Sequence, residues 1–174
     1  VNVKDRVVSN FKLTNSKGVG LSGKVKLELN SRTYDIDIKK GESSLVIGKL
    51  PAGNYSYTVT YAGNSVYGKT SYKGSFEVRD TRLNTTIYAY NLTKYYKNDK
   101  KLSIYLVSSK NKVISGATMD VTIAGKTYTV VTNNEGLATL DVNLATGSYI
   151  ASINFEGDDD YFASSANATV TILS

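Results

Sequence analysis

The one acidic run in the chain is Asp158-Asp159-Asp160, directly after Gly157. Three carboxylates in one loop offer oxygen ligands of the kind Ca²⁺ takes. The same run suits a solvated turn, because Asp side chains accept hydrogen bonds from nearby backbone amides. An earlier segment carries Asn64-Ser65-Val66 at the matching place, so a turn is the expectation and no metal is. Aromatic faces are the second resource. Of 14 Tyr, five (Tyr88, Tyr90, Tyr95, Tyr96 and Tyr105) lie close together in sequence. Tyrosine rings suit both sugar and peptide contacts, and Tyr95 and Tyr96 are the candidate ligand contacts. Four Asn-x-Ser/Thr sequons, at Asn54, Asn84, Asn91 and Asn167, are candidate N-glycan acceptors on an exported chain; Asn91 and Asn167 are expected to look outward.

Much other chemistry is excluded by composition. The chain has no His and no Cys, which removes the Ser-His-Asp triad, Cys-His pairs, disulfides and zinc fingers. Acid–base work would fall to carboxylates, Lys or Tyr. Asp35, Asp37 and Asp120 sit on outward strand positions without a partner, and nothing resembles a phosphate-cradling loop. A strand Lys joined to Asn or Asp in an intramolecular isopeptide bond needs a neighbouring carboxylate. The pilin-type pattern puts it four residues after the Tyr of a Gly-x-Tyr strand, where this chain has Val59 and Ile153. No catalytic residue, cofactor or enzymatic activity is expected.

The elements that position these residues read as strands. Apolar side chains alternate with polar ones in Leu102, Ile104, Leu106; Met119, Val121, Ile123; Tyr149, Ala151, Ile153, Phe155; and Ala166, Ala168, Val170, Ile172. That is the period of a strand with one buried face. Val25, Leu27, Leu29; Tyr34, Ile36, Ile38; Tyr55, Tyr57, Val59, Tyr61; and Tyr72, Gly74, Phe76, Val78 do the same earlier. No helical spacing persists over ten residues. Asn30-Ser31 and Ala124-Gly125 mark tight hairpins, and Gly53-Asn54-Tyr55 and Gly147-Ser148-Tyr149 open late strands. A Tyr at the start of strand F of an immunoglobulin-like sandwich bonds nearby backbone, forming a tyrosine corner; Tyr55 and Tyr149 fit that role.

The segments repeat. Gly23 to Val78 aligns with Gly116 to Ile172 after one inserted residue near the first hairpin, with a period of about 94 residues, the size of one small sandwich. Two tandem immunoglobulin-like Greek-key β-sandwich domains follow, over 1–80 and 81–174. Val1 corresponds to Lys94, so the first copy has no counterpart of Thr86 to Thr93. Either the sequence starts inside the module, as an excised piece of something longer, or Val3, Val7 and Val8 stand in as a shorter first strand. The linker Val78 to Leu83 has no Gly or Pro, which predicts an extended two-domain rod. Residues 1–80 carry 13 Lys and Arg against 7 Asp and Glu, and residues 81–174 carry 8 against 8, so the whole net charge of +6 belongs to the first copy. Lys24, Lys26, Lys39, Lys40 and Lys69 are scattered over several elements, which reads as a solvated surface. Neither a nucleic-acid partner nor membrane insertion is expected.

The second copy, from Thr86-Ile87 through Tyr95-Tyr96, Gly125-Lys126-Thr127-Tyr128, Asn133-Asn134-Glu135-Gly136, Gly147-Ser148-Tyr149 and Phe155-Glu156-Gly157-Asp158 to Tyr161 and Ser164, resembles the immunoglobulin-like repeats of large cell-surface adhesin-like proteins. The resemblance is strongest to those of methanogenic archaea, with looser bacterial relatives. It covers 82–174 closely and 11–78 less so, where Gly63-Asn64-Ser65 and Lys40-Gly41-Glu42 depart from the pattern. It implies an extracellular stalk at the cell surface, partnered by neighbouring modules of the same chain and by host-cell, microbial or polysaccharide surfaces. The alternative is a carbohydrate-binding or spacer module of a secreted multidomain hydrolase.

Overall fold

A computed structural model describes residues 1–174 and contains fourteen strands and no helix. The chain divides into two compact units, Val1–Thr81 and Arg82–Ser174, here called unit 1 and unit 2. Unit 1 holds β1 (Val7–Lys12), β2 (Gly23–Leu29), β3 (Arg32–Ile38), β4 (Glu42–Gly48), β5 (Gly53–Tyr61) and β6 (Thr70–Val78). Unit 2 holds β7 (Thr85–Ala89), β8 (Leu92–Tyr95), β9 (Lys101–Ser108), β10 (Thr118–Ile123), β11 (Lys126–Val131), β12 (Leu137–Asp141), β13 (Gly147–Phe155) and β14 (Ser164–Leu173).

Unit 2 is a two-sheet sandwich. One sheet runs β11-β10-β13-β14-β8 and the other β12-β9-β7. The alternating side chains of β9, β10, β13 and β14 meet between them, and Leu102, Ile104, Leu106, Val121, Ala151 and Val170 have no exposed surface. Each large aliphatic buried this way contributes roughly 1.5–3 kcal/mol, which makes the shared interior the main source of stability. The crossing of the chain from β11 in one sheet to β12 in the other gives the immunoglobulin-like Greek key. One pairing is parallel: β8 lies beside β14 with Val170 opposite Leu92 and Leu173 opposite Tyr95. Its outward Thr93 and Tyr95 alternate with buried Leu92 and Lys94.

Unit 1 repeats this frame with two differences. Its sheets are β3-β2-β5-β6 and β1-β4. The β1–β4 ladder matches β9–β12, because Leu13 N donates to Gly41 O as Leu106 N does to Gly136 O, and Leu21 N to Leu13 O as Ile114 N does to Leu106 O. Val7 and Val8 therefore belong to the counterpart of β9, which removes the alternative in which they stand in as a shorter first strand. Their backbones pair with β4, Val7 with Gly48 and Val8 with Val46, with a bulge between them. Of the β8 position only a trace is present, an Asn2–Arg79 parallel bridge with Arg79 N donating to Val1 O and Val3 N to Arg79 O.

The second difference concerns the interior. Unit 2 has one continuous core, whereas unit 1 has two clusters, one around Phe11, Leu13, Val25, Leu27, Ile36, Ile38 and Tyr61, the other around Val7, Leu29, Leu50 and Val78. Tyr72, an inward position by alternation, is 66 % exposed because no strand covers that edge. The inserted residue also moves. Leu29 pairs with Arg32 as Ile123 pairs with Lys126, so both hairpin turns have two residues. The extra residue is Gly116, ahead of β10, at a φ of 70°.

Candidate functional site

Strand alternation turns every second residue of β7 and β9 away from the core, and in unit 2 these positions carry rings. Tyr88 pairs directly with Tyr105 across the ladder. Tyr90 meets Tyr105 edge to face, with ring centres 6.1 Å apart, within the favourable range for aromatic pairs. Together with Ser103 and Val107 the three tyrosines line a shallow open depression of about 550 Å³. Tyr88 and Tyr90 are 53 % and 61 % exposed, so their faces are available. The depression is flat, aromatic and uncharged, suited to stacking a ring and holding it weakly.

The five clustered tyrosines do not form one surface. Tyr95 ends β8 and Tyr96 follows it. Tyr96 has the Lys97 ammonium 5.3 Å from its ring centre and lines a smaller depression with Asn143, Leu144, Ala145 and Thr146. Alternation along the first residues of each copy could not reveal this split, because it depends on the crossing from β7 in one sheet to β8 in the other.

The acidic run forms a local turn. Asp158 Oδ1 accepts from Asp160 N at 2.8 Å and Tyr161 N at 2.9 Å. In unit 1 Asn64 Oδ1 accepts from Val66 N and Tyr67 N, both at 2.8 Å. A neutral amide oxygen thus does the same work as the carboxylate, which assigns the position to backbone capping. No three carboxylates converge anywhere in the chain. Asp120 accepts from Thr129 Oγ1 at 3.0 Å across a strand pair. Asp37 and Asp35 face Lys24 and Lys26 in register on β3 and β2, and the Lys24–Asp37 contact is 4.0 Å. Paired carboxylates interrupt the lysines on this face of unit 1, so no continuous basic patch forms there.

Tyr55 Oη donates to Pro51 O and Tyr149 Oη to Ala145 O, each at 3.0 Å and each four residues back. Both tyrosines are therefore tied to the turn that precedes their strand. Where strand F of antibody domains has a Cys, unit 1 has Tyr57 and unit 2 has Ala151. The Tyr57 ring lies over Gly74, its cross-strand partner; a Cβ there would meet the Tyr57 hydroxyl oxygen at 2.5 Å. In unit 2 the equivalent pair is Ala151 and Ala168, a small–small pair in place of large–none. The four sequon residues Asn54, Asn84, Asn91 and Asn167 are all exposed, and Asn91 Oδ1 accepts from Thr169 N at 2.8 Å. Lys94 was not singled out by sequence reasoning. It is 3 % exposed, donates to Val142 O at 3.2 Å and lies 3.6 Å from Asp141. The signal was present in its inward parity with Leu92.

No protein-family model and no curated protein matches this chain. Solved structures do. A structure described as giving insight into host cell surface retention of a 1.5-MDa bacterial ice-binding adhesin is similar over 98% of this chain and 60% of its own, at 16% identity and a TM-score of 0.54. A Ca²⁺-stabilized adhesin that helps an Antarctic bacterium reach out and bind ice is similar over 99% of this chain and 46% of its own, at 18% identity and a TM-score of 0.50. The chain therefore spans about half to three-fifths of the length of these structures. At such identities the likeness is one of fold, and it sets these two immunoglobulin-like sandwiches beside domains of bacterial adhesins.

Proposed function

We propose that this chain is a non-catalytic structural and adhesive segment of a cell-surface adhesin-like protein. It acts outside the cell as part of an extended stalk whose neighbours are further immunoglobulin-like modules. The observation that carries this reading is duplication without a reactive centre. The same sandwich frame occurs twice, nearly all inward positions of both copies go to packing, and the carboxylates serve turns and cross-strand pairs. The adhesin likeness of the fold supports it. Weak contacts repeated along a stalk add up through effective concentration, so no single deep pocket is needed. Antibody raised against the chain should decorate intact source cells and be lost after surface proteolysis. Labelling that appears only in permeabilised cells would reject the proposal.

The Tyr88–Tyr90–Tyr105 face favours a second reading, a carbohydrate-binding module of a secreted hydrolase. Affinity electrophoresis against wall polysaccharides separates the two. Retardation abolished by Tyr88→Ala and Tyr90→Ala supports sugar stacking on this face, and loss on changing Tyr95 and Tyr96 instead assigns it to the end of β8. Unretarded migration leaves the stalk reading alone.

A further inference from the structure

The aromatic depression of unit 2 is part of a larger outward grid on the β12-β9-β7 sheet. Its middle row is Tyr88, Tyr105 and Leu137, in register across β7, β9 and β12. On one side Thr86 pairs with Val107, which is bridged to Val113. On the other, Tyr90 N donates to Ser103 O, and Ser103 pairs with Thr139. No member of the grid is charged. Charge begins in the next row, where Lys101 and Asp141 are register partners.

The frame does not ask for these side chains. The ladder of β1 with β4 matches that of β9 with β12, so the register pair Lys12 and Glu42 stands where Tyr105 and Leu137 do. Asn10 and Ser44 stand where Ser103 and Thr139 do, with Ser44 Oγ donating to Asn10 Oδ1 at 2.8 Å. The Thr14–Gly20 bridge takes the place of Val107–Val113. Four outward positions that are apolar in unit 2 are thus polar or bare in unit 1. Solvated outward positions suffice for the sandwich, and an apolar patch left open beyond that marks a contact surface.

Size and chemistry select the occupant. From the strand spacing and the rise per residue, the grid measures roughly 10 by 14 Å. A stable protein partner covers about 800 Å² on each side, several times that area, so a folded protein or a second copy overhangs it. The edge-to-face contact of Tyr90 with Tyr105 closes the gap between those rings, which leaves no slot for a proline ring and only outer faces to stack on. An acidic sugar chain finds no cation inside the grid to meet its carboxylates. A neutral hexose with equatorial hydroxyls fits what is offered. Its flat faces present CH groups to the electron-rich ring faces, and its rim hydroxyls reach the hydroxyls of Thr86, Ser103 and Thr139.

We infer that the outer face of β7, β9 and β12 in unit 2 is a stacking platform for a neutral, equatorially hydroxylated hexose chain, and that the matching face of unit 1 is not. This rests on the carbohydrate reading of the tyrosine face and narrows it to one ligand class and one copy; the stalk reading does not depend on it. The test titrates cellohexaose against the whole 174-residue chain and follows backbone amide resonances. Residues 86–90, 103–107 and 137–139 should shift saturably, while 10–12 and 42–44 stay in place. A galacturonate hexamer should bind at least about tenfold more weakly, because its charges lose water without gaining a partner. Tyr105→Lys with Leu137→Glu writes the unit 1 pair into unit 2 and should weaken cellohexaose binding at least about tenfold, through loss of the central ring. Unit 1 carries that pair at the same place, so the fold accepts it. Tyr88→Ser, on the exposed edge strand, should weaken binding at least about threefold without touching the interior. Shifts centred on Tyr95 and Tyr96, equal binding of the galacturonate hexamer, or binding unaltered by these substitutions overturns the inference and leaves the carbohydrate reading standing. Shifts with neither sugar overturn both. Tighter binding of a proline decapeptide at the grid, or shifts there on concentrating the chain alone, also overturns the inference, since a peptide or a second copy would then be the occupant.

Discussion

Thr132 is one of three buried polar or charged residues, 3 % exposed, and the most fully employed. Its hydroxyl donates to Ile114 O at 2.7 Å and accepts from Ala117 N at 2.9 Å, tying the turn before β10 to the end of β11. Thr132→Val keeps the shape and deletes both bonds. A buried amide and a buried carbonyl left unsatisfied cost about 1–3 kcal/mol each, and the added methyl returns about 1 kcal/mol. Taking the middle of that range, about 2 kcal/mol for each of the two groups, the net loss is about 3 kcal/mol. Thr132→Ser keeps both bonds and removes one buried methyl, costing about 1 kcal/mol. For a domain of this size each kcal/mol is roughly 4–8 °C in Tm, so Thr132→Val should lower the unit 2 transition by at least about 8 °C in calorimetry and Thr132→Ser by about half that or less. Unit 1 supplies an internal control. Ile38 occupies this place, 2 % exposed, and the carbonyl equivalent to Ile114 O, Leu21 O, is satisfied by Gly41 N at 2.8 Å. In unit 2 Gly136 N is engaged with Asn133 O and cannot substitute. The reasoning fails if Thr132→Val changes stability by less than about 0.5 kcal/mol, or if the Ser variant is the less stable of the two.

Other outcomes follow from paired features. Tyr55→Phe and Tyr149→Phe each remove one bond to a turn carbonyl and should cost about 1 kcal/mol in their own unit, measured by urea denaturation. Gly63→Ala and Gly157→Ala should cost more than about 2 kcal/mol, since both glycines have φ of 83° and an added Cβ would meet a backbone oxygen at 2.7 Å. Gly48→Ala, with φ of 102° and open space around it, should cost only about 1 kcal/mol; the ranking is read from melting midpoints. Asp158→Asn should leave stability within about 0.5 kcal/mol because Asn64 already does this work, Asp158→Ala should cost about 1 kcal/mol, and millimolar Ca²⁺ or chelator should leave the thermal transitions in place.

Strand parity was legible because it depends only on side-chain alternation. The inward faces of β2, β9, β10 and β13 follow from residue type alone, and duplication made each turn visible twice. What the sequence could not reveal comes from pairings between distant segments. The place of Val7 and Val8 is fixed by the ladder with β4, which local alternation does not encode. Tyr72 alternates like a core residue yet is exposed, because burial needs a neighbour on the far side and none is there. Lys94 has inward parity but a charged side chain, and only the fold shows that Val142 O receives its ammonium. Among the tyrosines, proximity in sequence suggested one surface, whereas the change of sheet between β7 and β8 makes two.

The parallel pairing of β8 with β14 has a mechanical consequence. When the two ends of such a unit are pulled apart, load that passes β7 reaches β8 and β14, which slide past each other lengthwise, so their bonds are loaded together. Unit 2 closes with four residue pairs of this kind. Forced opening is governed by the unfolding rate, which this geometry holds down. A unit of this kind, pulled by its ends, yields when the four pairs shear together and does not peel from one side.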